Sequence, residues 1–225
     1  MDQFEPILSR CPLFEGIRRE ELAGMLSCLG GRVVTVAKGS PVFLEGDPAR
    51  FLGIVLSGAV QIVREDYYGN RSVLTVVSPG GLFAEAFACA GLDTLPVSAF
   101  AVQASTVLLL DCRKVLTGCS NACPFHNRLA RNLLQGIAQK NLILTRKIRF
   151  MSQKTTKEKL MAYLLDQAKQ NGSPEFVIPY DRQALADFLG VERSAMSAEL
   201  GKLRDMGYIE VDRRNFRLLK KPGGA

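Results

Sequence analysis

Hydrophobic and polar positions along this chain follow two different rhythms. Across residues 32–111 they form short apolar or alternating runs, at 32–36, 51–56, 59–63, 72–77 and 106–110. Turn-forming residues lie between them, as in Lys38-Gly-Ser-Pro41, Glu45-Gly-Asp-Pro48, Ser57-Gly58, Tyr68-Gly-Asn70 and Ser78-Pro-Gly-Gly81. Side chains of a strand alternate between its faces, and glycine and proline supply the backbone angles of tight turns. The spacing therefore predicts an antiparallel β-barrel or roll. Ahead of it, residues 17–29 read as a short amphipathic helix.

After Asp111 the period changes. Residues 125–151 contain no proline and one glycine, Gly136, while Leu129, Leu133, Ile137, Lys140, Leu144, Ile148 and Met151 recur at spacings of three and four. That pattern predicts a single helix of roughly 25 residues, long by globular standards. Its apolar seam is wide enough to pack on the roll and to pair with a second copy of the chain. A polar stretch at 152–156 marks a boundary, after which Thr156 is expected to cap a helix over 157–170 that stops at Asn171-Gly172. The expected division is a sensor roll over 1–124, a dimerisation helix over 125–151 and a third unit over 152–225.

Within that third unit, Asp181 can cap a helix whose apolar face carries Leu185, Phe188 and Leu189, with the small Ala186 where two helices must approach closely. Gly190 suits the left-handed backbone of a sharp turn, and Val191 can enter the shared core. A second helix from Arg193 buries Met196, Leu200 and Leu203, leaving Arg193, Ser194, Ser197, Ala198 and Lys202 on its other face. Short or forked donors of this kind suit base edges and phosphates in a major groove. Residues 208–219 alternate about Asp212-Arg-Arg-Asn215, a wing with Arg213 and Arg214 at its tip. An ordinary three-helix core with a hairpin would show much of the same pattern; positive charge separates the two readings.

That charge is unevenly placed. Residues 1–111 carry 8 Lys/Arg against 12 Asp/Glu, and residues 112–225 carry 21 against 10, so the surplus of +7 comes entirely from the second half. A basic half joined to a mildly acidic one fits a polyanion-binding segment attached to a sensor. No uninterrupted apolar run reaches the ~18 residues of a membrane span, and the first ten residues lack a secretory signal's apolar core, so a cytoplasmic protein without a membrane partner is expected. The six cysteines are too sparse for a disulfide scaffold and include no Cys-x-x-Cys pair.

With those residues in view, the chain from about Leu8 to Leu219 resembles the Crp/Fnr family of bacterial transcription regulators. The resemblance implies an α+β fold in three parts: an N-terminal antiparallel β-roll like a cyclic-nucleotide-binding domain, a long dimerisation helix, and a C-terminal winged helix-turn-helix. It implies a homodimer on a palindromic site in double-stranded DNA, contact with RNA polymerase, and no enzymatic activity. Arg193 matches the arginine that reads a guanine in the family's cyclic-AMP-responsive branch, and Arg182 sits where that branch contacts a phosphate. Ser194 stands where a base-reading glutamate is common, and Ala198 where an arginine is common; Ser197 matches a serine of the Fnr-like branch. The operator sequence does not follow from this set.

The resemblance also implies an effector pocket at Glu85, Val97 and Ser98, with Thr145 of the long helix. The family's cyclic-nucleotide binders hold ribose with a Gly-Glu pair and the cyclic phosphate with an Arg-Ser pair. Here Phe83-Ala-Glu-Ala86 keeps the acid, but Pro96-Val-Ser-Ala99 puts Val97 in the arginine's place. A phosphate buried without a cation is strongly disfavoured, so cyclic AMP is a poor match and the small-molecule effector is unidentified. Glu85 either holds a ligand hydroxyl or caps a turn. No cofactor is assigned, although Cys119, Cys123 and His126, within eight residues, form a candidate redox or metal set. Cysteine is equally a small buried hydrophobe, and the Fnr-type N-terminal cysteine cluster is absent. Two rival classes remain. A cupin-like metalloenzyme needs histidines in the roll, which has none, and neither a nucleophile elbow nor a P-loop occurs. An RNA-binding module would need exposed aromatics on strands, and the basic half has few.

Overall fold

The structure, a computed structural model, describes residues 2–68, 71–117 and 125–219. Two compact units divide the chain, Met1–Gln139 and Lys140–Ala225, and the division falls within one long helix.

The first unit opens with helices α1 (Glu5–Leu8) and α2 (Arg19–Cys28), followed by eight strands. These are β1 (Arg32–Val36), β2 (Pro41–Phe43), β3 (Phe51–Ser57), β4 (Val60–Glu65), β5 (Arg71–Val77), β6 (Leu82–Phe83), β7 (Ser98–Ala101) and β8 (Ser105–Asp111). Short helix α3 (Glu85–Cys89) follows β6, α4 (Cys112–Leu116) follows β8, and the long helix is α5 (Phe125–Met151). All strand pairs are antiparallel, in two four-stranded sheets ordered β1-β8-β3-β6 and β2-β7-β4-β5.

Strands β3 and β8 explain why both faces of one sheet read as apolar. Leu52, Ile54, Leu56, Leu108 and Leu110 face a core shared with α1, α2 and Leu129 and Leu133 of α5. Val55, Val107 and Leu109 face the space between the sheets, with Val60, Ile62, Val97 and Ala99. Gly53 is required there, because a Cβ on it would stand 2.2 Å from the Phe83 ring.

The long helix covers the predicted span, but its apolar residues divide their work. Leu129 and Leu133 are buried in the roll's own core, whereas Leu134, Leu144, Ile148 and Met151 are exposed. The seam expected from sequence is thus covered by the roll at its start and exposed toward its end.

The second unit adds α6 (Thr156–Asn171), β9 (Glu175–Val177), α7 (Arg182–Leu189), α8 (Arg193–Asp205), β10 (Ile209–Asp212) and β11 (Asn215–Leu218). The cap of α6 is Thr155, one residue before the expected Thr156. Thr155 Oγ1 accepts from the Glu158 amide at 3.2 Å while Glu158 accepts from the Thr155 amide at 3.0 Å. Only Thr155 has a glutamate three residues on, and that reciprocal pair sets the boundary. The wing is three-stranded, ordered β10-β11-β9; β9 is a strand the sequence pattern did not announce. One core unites α6, α7, α8 and the wing through Leu160, Leu185, Leu189, Met196, Leu200, Leu203 and Phe216.

Candidate nucleic-acid interface

Helix α7 starts where its sequence says it must. Asp181 accepts a hydrogen bond from the Ala184 amide at 2.8 Å, satisfying one of the donors a helix start leaves open. Gly190 ends the helix at φ +61°, a conformation that strains any side-chain-bearing residue. The chain then reverses into α8, with Leu185, Ala186, Leu189, Met196, Leu200 and Leu203 all buried. Burial of that stripe turns the remainder of α8 outward.

Arg193, Ser194, Ser197, Ala198 and Lys202 are all solvent-exposed. Arg193 lies in the first turn and has no carboxylate partner among the described residues. Lys202 differs: its Nζ lies 2.6 Å from Glu199 Oε1, so an incoming phosphate must compete with that acid. Arg182, at the start of α7, is half-buried with its guanidinium 5.5 Å from the centre of the Phe216 ring. Burial lowers its pKa from the ordinary arginine value, and an anion beside it would offset that penalty.

The wing tip is a two-residue loop, Arg213-Arg214, closed by the Asp212–Asn215 pair. Arg213 adopts φ +52°, the handedness tight hairpin loops demand, and both arginines are exposed. Arg217 on β11 is neutralised, with nitrogens 3.1 Å from Glu175 and 3.5 Å from Glu210. Cationic character is therefore concentrated at the tip.

Sequence reasoning missed one element of this surface. Thr155, Thr156 and Lys157 at the start of α6 share a cleft of about 520 Å³ with Ala195, Ala198, Glu199 and Lys202 of α8. The open amides of a helix N-terminus attract anions, which places a second phosphate-compatible group beside the exposed face of α8. The Thr155-x-x-Glu158 capping box was the available signal.

Two of the sensor candidates, Glu85 and Val97, are buried within the roll. Val97 is 7% exposed, in the core between the sheets. Glu85 is 5% exposed and opens α3, immediately after Ala84 in left-handed backbone at φ +62°. Ser98 Oγ accepts from the Glu45 amide at 2.9 Å, so this hydroxyl already pins one loop of the roll. Thr145 belongs to the second unit, where it donates to Asn141 Oδ1 at 3.2 Å. His126 is 5% exposed; its Nε2 stands 3.9 Å from Cys28 Sγ, and its Nδ1 has no hydrogen-bond partner among the described residues. Cys119 and Cys123 lie outside the described residues. Among the described residues no cluster of three or more His, Cys, Asp or Glu side chains suits a metal, and no helix is long and apolar enough to cross a membrane.

Comparison with known proteins matches this arrangement unit by unit. A cyclic nucleotide-binding domain family covers residues 33–121, and a Crp-like helix-turn-helix domain family covers residues 158–223. The chain belongs to the Crp/Fnr family. Among Crp/Fnr relatives, the cyclic AMP receptor protein of Thermus thermophilus is 28% identical over 201 residues, 89% of this chain and 88% of the relative. The nitrogen fixation regulation protein FixK of Rhizobium meliloti is 26% identical over 192 residues, 84% of this chain and 83% of that one. The crystal structure of DNR from Pseudomonas aeruginosa superposes with a TM-score of 0.51 at 26% identity, covering 96% of this chain and 94% of DNR. The chain is thus a Crp/FixK-like, DNA-binding transcription regulator, with a cyclic-nucleotide-binding-type roll and a winged helix-turn-helix.

Proposed function

We propose that this Crp/Fnr regulator works as a homodimer on palindromic duplex DNA in the bacterial cytoplasm, under control of a small effector other than cyclic AMP, and that it contacts RNA polymerase. Arg193, Ser194 and Ser197 read base edges, while Arg182, Lys202, Arg213 and Arg214 hold phosphates. The observation that carries this reading is the exposed polar face of α8, opened by an arginine without a carboxylate partner. Pairing is supported by Leu134, Leu144, Ile148 and Met151, large apolar residues of α5 that stand exposed. The effector pocket is assigned to Glu85, Val97 and Ser98 of the roll, and buried Val97 in the cation's position argues against a cyclic phosphate.

Selection of bound fragments from a random duplex library by the intact protein tests this. The expected product is a two-fold symmetric sequence with half-sites one helical turn, about 34 Å, apart. An asymmetric product, or none at low salt, would overturn it. A second reading assigns redox or metal sensing to Cys119, Cys123 and His126, and the buried Nδ1 of His126, with no hydrogen-bond partner among the described residues, favours it. Metal analysis of anaerobically purified protein tests that reading; metal retained by the native chain and lost in His126→Ala supports it.

A further inference from the structure

Cys89 and Cys112 are 23 residues apart and form no recognisable motif, yet their sulfurs stand 3.1 Å from each other. Topology brings them together. Strands β6 and β8 both pair antiparallel with β3, so they run in the same direction and the helices that follow them leave the sheet at the same end. Cys89 closes α3 and Cys112 opens α4. The start of α4 is held in place: Asp111 Oδ2 accepts from Arg50 Nε at 2.8 Å, and Asp111 Oδ1 accepts from the Arg113 amide at 3.1 Å.

The two thiols are unlike. Cys112 is 1% exposed and Cys89 is partly open to solvent. The contact between the sulfurs holds the Cys89 pKa below the ordinary thiol value; that same contact, with burial, holds Cys112 well above it. Ala88 and Arg113, their immediate neighbours in sequence, line a cavity of about 260 Å³ with Arg50 and Asp93, large enough for a small oxidant.

We propose that Cys89 and Cys112 form a reversible intrachain disulfide on exposure to a hydroperoxide, and that this bond clamps α3, the helix opened by Glu85, against α4. The Cys89 thiolate attacks one peroxide oxygen; the O–O bond breaks, and one water leaves after protonation, giving a sulfenic acid. The Cys112 sulfur then attacks the Cys89 sulfur, the S–O bond breaks, and a second water departs with the Cys112 proton. Two thiols and one hydrogen peroxide yield one disulfide and two waters, with the peroxide taking two electrons. A disulfide needs sulfurs about 2.05 Å apart, so an approach of roughly 1 Å suffices.

The test is peptide mapping of the reduced full-length protein before and after stoichiometric hydrogen peroxide, with remaining thiols alkylated. The expected product is a Cys89–Cys112 linked peptide, two hydrogens lighter than its parts and cleaved by dithiothreitol. Cys112→Ser should leave a sulfenic acid at Cys89 that dimedone captures, while Cys89→Ser leaves Cys112 unoxidised. In the oxidised protein, amide exchange across residues 85–89 should slow at least several-fold. Full alkylation of both thiols after peroxide overturns the proposal, as does a bond from either to another cysteine, or unchanged exchange in α3. The linked peptide is read on the native chain, so a variant that fails to fold leaves the result intact, and none of these readouts depends on DNA binding.

Discussion

Arg193 and Val97 stand in the same relation to the two halves of this regulator, and they behave in opposite ways. Arg193, proposed to read base edges, stands in solvent on a helix whose other face is fixed by Met196, Leu200 and Leu203. Val97, proposed to stand where a cyclic-nucleotide binder carries its cation, joins the apolar core between two sheets. On the proposed assignments, the DNA-facing half presents an anion-seeking surface, while the sensing half has an apolar side chain where a cyclic phosphate would need a cation. The contrast is one of placement: a cation outside the core is free to meet an anion, whereas a side chain inside it answers first to packing.

The sharpest way to break that contrast is to offer the roll a cyclic nucleotide. Leaving its phosphate buried and unpaired carries a penalty of about 3–5 kcal/mol, so calorimetry of the native protein with cyclic AMP should detect no binding up to millimolar concentration. Measurable affinity would show that another cation serves in place of Val97. Next in size, Arg193→Ala should weaken binding to the selected operator by about 1–3 kcal/mol and relax its sequence preference. Equal losses on operator and random DNA would remove Arg193 from base reading. Tyr163→Phe probes the winged unit's interior: the Tyr163 hydroxyl is buried with no hydrogen-bond partner among the described residues. Its removal should raise unfolding free energy by about 1 kcal/mol in denaturant titration, with operator affinity unchanged. A loss of stability would mean that a bound water satisfies the hydroxyl. Smallest of all, Arg213→Ala should cost under about 1 kcal/mol on any duplex and lower the salt-dependence slope by about one.

Features written in neighbouring residues were legible before any coordinates. Asp181 before α7, Gly190 after it and the span of α5 follow from capping chemistry, backbone freedom and helical period, and all three stand as read. What was hidden depends on residues distant in sequence. Strand β9 has three residues, too few to show alternation, and exists because Phe176 stacks on Phe216 of β11 at 6.1 Å. The division of the α5 seam into a covered start and an exposed end appears only once the roll claims Leu129 and Leu133. Cys89 meets Cys112 through strand pairing alone. Among the candidate site residues, exposure of the Arg193 face followed from its amphipathic pattern, whereas the cleft beside Thr155 needed α6 and α8 to pack together.

The backbone of Arg213 carries a consequence for how far this regulator can be stabilised. A residue with a side chain costs about 1–2 kcal/mol in the left-handed region, and glycine there costs far less. Arg213→Gly should therefore make the hairpin more robust to heat while blunting its grip on the sugar-phosphate rail. With Arg213 on a phosphate as proposed, durability and grip pull in opposite directions at this one position.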